Sequence, residues 1–262
     1  MKFQGALILL YVCSFIACTD NMNSDMEEEE MPAISQPDSE AINGGCIQLE
    51  APIYQENGGL VNIEMESSNY IATFWRLNTD LDGFTGKGFL VWKGSDSFNE
   101  PGKGLLSYKV NVQKTGTYRF VWKSYITDGH DPTEFNDSWL RIADATHFYG
   151  KKGNGHIVYP RGSSQDPLPG PDGQENNHPA GSSTDGWFKI YMNTADEWAW
   201  LSSTSDHDAH AIYAVFEEPG EYTIEISGRS KGHGIDKFVM FHSDVDAGLA
   251  FTSTALSEVQ CD

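Results

Sequence analysis

The chain has 262 residues, 39% hydrophobic and 12% aromatic, enough for one core domain of about 200 residues with segments to spare. Its formal net charge is −21, with 38 acidic against 17 basic residues, a field that repels nucleic acid and anionic lipid and excludes nucleic-acid binding. Seven Trp and eleven Tyr exceed what most cores need, which leaves aromatic surface for a ligand.

Residues 1–17 read as an export signal. Lys2 supplies the positive start, and "ALILLYVCSFIAC" supplies an apolar stretch of 13 residues, too short to span a bilayer comfortably. The stretch ends in Phe15-Ile16-Ala17-Cys18, which resembles a bacterial lipobox and implies cleavage and lipidation at Cys18. An ordinary signal peptide cut nearby is the alternative. Residues 18–45 are acidic, contain Pro and Ser, and lack aromatics. Such a composition cannot bury enough surface to fold, so a disordered, flexible tether is expected. An acidic run just after a lipidated Cys resembles the surface-export signal of Bacteroidota lipoproteins. That implies an outer-membrane lipoprotein exposed at the cell surface, held to the membrane only by its anchor; a spacer facing the periplasm is the alternative. Cys13 and Cys18 belong to the signal and anchor, leaving Cys46 and Cys261. In an oxidising compartment these two can form a disulfide closing a loop of more than 200 residues, or remain free thiols near the two ends.

From residue 46 to 262 the chain reads as one domain of many short strands. "LVNIEME" and "LLSYKVNV" alternate; "QKTG" turns into "TYRFVWKSY", which puts Tyr118, Phe120 and Trp122 on one face and Arg119 and Lys123 on the other. "SWLRI", "WFKIYM", "AIYAVF", "EYTIEIS" and "DKFVMFH" follow. No segment keeps helical periodicity over three turns. The expected class is all-β, a β-sandwich of jelly-roll type. Two loops break the pattern, 126–137 and the Gly/Pro/Asn/Ser-rich region 150–185, the second expected to rim a binding face.

Glu64 and Glu66 lie near the start of this domain and Asp236 near its end. Carboxylates at i and i+2 of a strand point to one face. If the first and last strands lie side by side, the three can close on one hard cation such as calcium, with backbone carbonyls completing its shell. The competing reading has both Glu facing solvent.

Taken in order, "IEMESSNY", "GFTGKGFLVWKG", "GLLSYKVNVQKTGTYRFVWKSY", "NDSWLRI", "EWAW" and "PGEYTIEISGRSKGHGIDKFVMF" resemble carbohydrate-binding modules of families 6 and 35, over about residues 60–243. The resemblance implies a non-catalytic sandwich with a structural Ca2+ on Glu64, Glu66 and Asp236. It also implies a sugar site at the loops of one end, binding a polysaccharide or oligosaccharide. By position it offers Trp92, with Phe89 as substitute, and Trp198 and Trp200 as platforms for the C–H faces of pyranose rings. Of Trp198 and Trp200, at least one is expected to face solvent or ligand; core packing is the competing reading for Trp92 and Trp200. The family often has Asn before the terminal Ile-Asp, where this chain has Gly234 after His233. His233, Arg229 or Lys231 is then left as polar anchor, or Asn136 and Asp137 of "FNDSW". Arg229 and Asp236 could instead form a structural ion pair. Lys151, Lys152, Arg161, Arg229 and Lys231 would suit an anionic sugar. Companion glycan-degrading enzymes or an importer are the implied partners.

Other chemistry is set aside. His207-Asp208-Ala209-His210 could suggest zinc, but no third nitrogen or sulfur ligand lies at a known interval. No Gly-x-Ser-x-Gly, phosphate loop or Cys-His nucleophile pair appears. A polysaccharide lyase or glycoside hydrolase on the same scaffold, or an adhesive lipoprotein, is the alternative to a binding module.

Overall fold

The structure, a computed structural model, describes residues 34–35, 52–165, 167–168 and 177–260. Among these residues strands dominate, as the alternation predicts, with one short helix, Ala247–Thr252, and one 3-10 turn, Met65–Ser67.

The strands form two layers. Across the first, the order is Ile157–Val158, His147–Lys151, His210–Phe216, Gly116–Ile126 and His233–His242, all antiparallel. Beyond His233–His242 the partner changes along its length. Phe89–Trp92 lies beside its first residues and Leu60–Glu64 beside the later ones. Across the second layer the order is Ser183–Thr184, Trp187–Tyr191, Asp137–Arg141, Gly220–Gly228, Leu106–Val112, Ile53–Gln55 and Val259–Gln260. Ser203–Thr204 joins the layers, pairing through Ser203 with Tyr191 and through Thr204 with His210. The sheet thus curls over itself into a β-sandwich.

The core follows the predicted period of two. Tyr118, Phe120 and Trp122 are enclosed, while Arg119 and Lys123 on the other face stay partly exposed. Leu106, Tyr108, Val110 and Val112 meet them from the other layer. Phe238 stacks on Phe120 at 5.3 Å and takes the edge of Tyr108 at 5.1 Å. Each such ring, fully buried, contributes about 1.5–3 kcal/mol.

His233–His242 is buried along its whole length, so both of its faces need cover. Ile235, Phe238 and Met240 enter the main core. Val239 and Phe241 face outward beneath Ala250 and Phe251 of the helix and beside Trp200. The inward residues change from odd to even numbers because the ladder with Gly116–Ile126 slips between Ile235 and Lys237. Asp236 is the extra residue, a β-bulge. It sits where the neighbouring strand changes from Phe89–Trp92 to Leu60–Glu64.

Two expectations are modified. The 150–185 region is not all loop, since it contributes Ile157–Val158 and Ser183–Thr184 to the sheets. Within the expected tether, Ile34–Ser35 forms a two-residue antiparallel ladder with Tyr70–Ile71. The export signal, Cys18, Cys46 and Cys261 lie outside the described residues. Ile53 and Gln260, near two ends of the described residues, are direct Cα partners.

Candidate functional site

The bulge assembles an acidic seam. Leu60–Glu64 runs antiparallel to His233–His242 with Glu64 opposite Lys237, so the two distant acidic segments do lie side by side. Glu66 is not in the strand, as the alternation suggested; it sits on the 3-10 turn that follows. Glu64 and Glu66 are each 7% exposed and Asp236 is fully buried. The segment from Gly83 to Lys87 crosses them. Thr85 N–H donates to Asp236 Oδ1 at 2.9 Å, and Thr85 Oγ1 to Glu64 Oε2 at 3.0 Å. Lys87 N–H donates to Glu66 Oε1 at 2.7 Å. Between them Gly86 holds φ +65°, and a Cβ there would come within 2.2 Å of Glu66 Oε1. Only glycine lets the backbone pass so close in that conformation.

Charge in the seam is unbalanced. Lys123 Nζ donates to Asp236 Oδ2 at 2.9 Å and to the Gly83 carbonyl. Glu66 Oε2 is buried with no hydrogen-bond partner. Burial pushes the Glu64 carboxyl up to about 7, against the Thr85 hydrogen bond and with the Asp236 charge adding to the rise. Burial likewise pushes Glu66 up to about 8, with Glu64 adding to it. Asp236 is raised by burial and held down in part by Thr85 and Lys123. The all-oxygen donor set and the orphaned Glu66 oxygen fit a hard divalent cation. The three carboxylates do not, however, close to within 4.8 Å of one another, so a cation would have to draw them inward.

The sugar-site expectations fare unevenly. Trp92 is fully buried, stacked on Phe74 at 5.5 Å and edge-on to Trp75 at 5.2 Å, so it is a core residue rather than a platform. Gly228 backs directly onto its indole; a Cβ there would fall 2.0 Å from the ring. His233 is also fully buried, against Trp122, with Nδ1 at 2.8 Å from Ser138 Oγ. Burial pushes its imidazole down to about 3, which rules it out as an exposed anchor. Arg229 pairs with Asp137 rather than Asp236, and its guanidinium lies over Phe98 and Trp139. It is a buried brace. Phe89 is buried too. Trp198 and Trp200 share the outer side of the sheet, and both are half-buried. Trp198 covers the Lys123 ammonium at 5.2 Å and donates from Nε1 to the Asp82 carbonyl at 2.9 Å. Trp200 stacks on Phe251 at 5.1 Å.

Of the predicted sugar contacts, Asn136 and Asp137 reach a cleft. A cavity of about 520 Å³ is lined by Asn136, Asp137, Lys189, Tyr191, Asn193, Asp206 and His207, with Pro132, Thr133 and Ala209. Asn136 Nδ2 donates to the Pro132 carbonyl at 3.0 Å and to the Met192 carbonyl at 2.5 Å, which fixes the cleft wall. Lys189 and Tyr191 alternate outward from Trp187–Tyr191, whose Phe188 and Ile190 enter the core. The Lys189 ammonium pairs with Asp206 and lies 5.5 Å from the Tyr191 ring. Tyr191 donates from its hydroxyl to the Ser205 carbonyl at 3.0 Å. Asp137 accepts from Arg229 and from Ser230 Oγ. Sequence reasoning missed Tyr191, Lys189 and Asp206; the outward phase of "WFKIYM" was the available signal.

No family model matches the chain, and no curated protein matches it. Solved structures do. A Podospora anserina GH26-CBM35 β-(1,4)-mannanase matches at 14% identity and TM-score 0.39, over 72% of this chain and 29% of that one. The CBM35 from Cellvibrio japonicus Abf62 matches at 12% identity and TM-score 0.35, over 77% of this chain and 96% of that one. Xyl-CBM35 in complex with a glucuronic acid-containing disaccharide matches at 10% identity and TM-score 0.35, over 77% and 96%. This chain therefore spans less than a third of the mannanase it resembles. All three likenesses are distant, and the sandwich assignment rests on the strand pairing itself.

Proposed function

We propose that this chain is a non-catalytic glycan-binding module whose cleft at Asn136, Lys189 and Tyr191 takes a short stretch of oligosaccharide or polysaccharide. The observation that carries the reading is the pairing of one half-exposed aromatic face, Tyr191, with a ring of fixed polar groups. A pyranose offers the same two surfaces, an apolar C–H face and a rim of hydroxyls. The volume lies within the roughly 300–1,000 Å³ usual for small-molecule sites. Lys189 and Arg229 are both matched by carboxylates, so the cleft favours a neutral sugar over the anionic one that the basic residues suggested. Asp137 and Asp206 are engaged by those same cations, which leaves neither free to protonate a leaving group.

In this reading Glu64, Glu66 and Asp236 hold a structural calcium ion, whose charge would offset the buried carboxylates, while the glycan binds elsewhere. With it we propose a lipid anchor at Cys18, display at the outer-membrane surface and a Cys46–Cys261 disulfide. Capture there would serve companion degrading enzymes or an importer, with display in many copies raising avidity.

A glycan array with the purified full chain tests the reading, followed by affinity electrophoresis on the best ligand. Tyr191→Ala should weaken retention about 10-fold, the worth of one good ring contact, while the melting temperature moves by only a few degrees. Unchanged retention would remove the cleft from the proposal. Cleavage of the ligand during incubation would favour the hydrolase or lyase alternative, and an empty array the adhesive one.

A further inference from the structure

At the edge of the first layer opposite the acidic seam, three potential ligands come together from two separate segments. The ladder between His147–Lys151 and His210–Phe216 sets Lys151 against Ala211. A tight turn then brings the chain back, with Lys152 N–H donating to the His156 carbonyl at 3.1 Å and Gly155 N–H to the Lys152 carbonyl at 2.9 Å. His156 Nδ1 thereby lies 2.9 Å from His210 Nε2. His210 Nδ1 lies 2.5 Å from the backbone carbonyl of Asp208. A carbonyl only accepts, so the proton sits on His210 Nδ1 and the Nε2 lone pair faces His156. One ligand atom from each of His156, Asp208 and His210 lies within 4.8 Å of the other two. His210 is buried, His156 half-buried and Asp208 exposed, so the group opens to solvent on one side.

We propose that His156, Asp208 and His210 form a binding site for one divalent transition-metal ion of the zinc class, with a fourth position open to water. Zinc bonds of about 2.0–2.1 Å in tetrahedral array set two nitrogens about 3.3 Å apart, so the imidazole pair need open by only about 0.4 Å. Two imidazoles and a carboxylate suit zinc and exclude calcium as the preferred ion. The backbone carbonyl of Asp208 supplies the outer hydrogen bond that orients a ligating imidazole. Proton accounting is simple: the His156 Nδ1 proton moves to its Nε2, and nothing is oxidised or reduced. Lys152 Nζ holds the Asp208 carboxylate at 2.7 and 2.9 Å, and the ion must displace it. His156, some fifty residues away and delivered by strand pairing, thus joins Asp208 and His210, while His207 lines the cleft instead.

The site has a consequence for the neighbouring cleft. The same loop carries Asp206, His207 and Ala209 into the cleft wall, and Ser205 and His207 hold φ of 70° and 59°. A metal at its far end would pin a loop whose backbone is in the left-handed region. The site stands whether or not the cleft binds sugar.

The full chain, stripped with chelator and dialysed, is titrated with Zn2+ by calorimetry and with Co2+ by visible absorbance. One ion per chain and the intense absorbance of tetrahedral cobalt are expected. His156→Ala, on a half-exposed turn, should lower zinc affinity at least about 100-fold. Lys152→Ala should tighten it several-fold by removing the competitor. No stoichiometric binding would overturn the proposal; so would His156→Ala at wild-type affinity, or weaker binding in Lys152→Ala. Melting of His156→Ala without metal separates ligand loss from misfolding.

Discussion

The acidic seam and the histidine corner sit at opposite edges of one layer and handle polar side chains in opposite ways. The seam buries three carboxylates against the Lys123 ammonium, which pairs with Asp236, and the nearby Lys237, and leaves Glu66 Oε2 without a partner. At the corner, by contrast, each group satisfies another: His156 with His210, His210 with the Asp208 carbonyl, Asp208 with Lys152. At the seam the proposed cation would take over the relief of buried charge that protonation of Glu64 and Glu66 otherwise supplies. At the corner it would replace interactions that already exist. On these proposals the seam's ion would brace the fold, whereas the corner's would exchange with contacts already made.

The contrast can be broken or sharpened by experiment. Asp236→Ala should have the largest effect, because it strands the Lys123 ammonium and the Thr85 N–H. A loss of about 3–5 kcal/mol is expected from the urea midpoint. A loss under about 1 kcal/mol would show that the seam is not what binds these strands together.

Chelation and pH come next. Glu64 and Glu66 titrate at about 7 and 8 in the fold against 4.5 in the open chain, so the folded state holds their protons more tightly. Without metal, their contribution to stability is present below pH 4.5 and is lost as pH rises through 7 to 8. Calcium binds the deprotonated carboxylates, so its stabilisation should be greatest above pH 8 and fade below 7. Thermal melts with calcium and with EDTA from pH 5 to 9 should therefore diverge as pH rises. Superimposable curves at the alkaline end would sink the calcium site, and Glu66→Gln should reduce any divergence. The smallest effect belongs to His156→Ala without metal, expected to cost about 1 kcal/mol because it leaves the buried His210 Nε2 without its partner. A large loss there would make the corner a structural brace like the seam.

Much of the fold was legible because a period of two is a local signal. Tyr118, Phe120 and Trp122 could be placed on one face from seven residues alone. The meeting of Glu64 with Asp236 was legible from a single assumption, that the first and last long strands are neighbours. Trp92, His233 and Arg229 were not, because alternation says which residues share a face and not whether that face is covered. His233–His242 is covered on both sides, and Arg229 lies beneath Phe98. Nor could His156 be matched to His210, since ladder register between distant strands is set by the whole sheet.

The bulge at Asp236 has one more consequence, for strand phase. Upstream of it the odd residues point inward; downstream the even ones do. Deleting this one residue would not turn the strand over. Ile235 already opposes Ser124 and Lys237 opposes Lys123, successive residues of the neighbouring strand, so without Asp236 the ladder would close with Phe238 and Met240 still inward. The strand carries Asp236 for its side chain and its kink and not for its register: a deletion there takes away a charge, whereas a deletion further along the regular ladder would invert the rest of the strand.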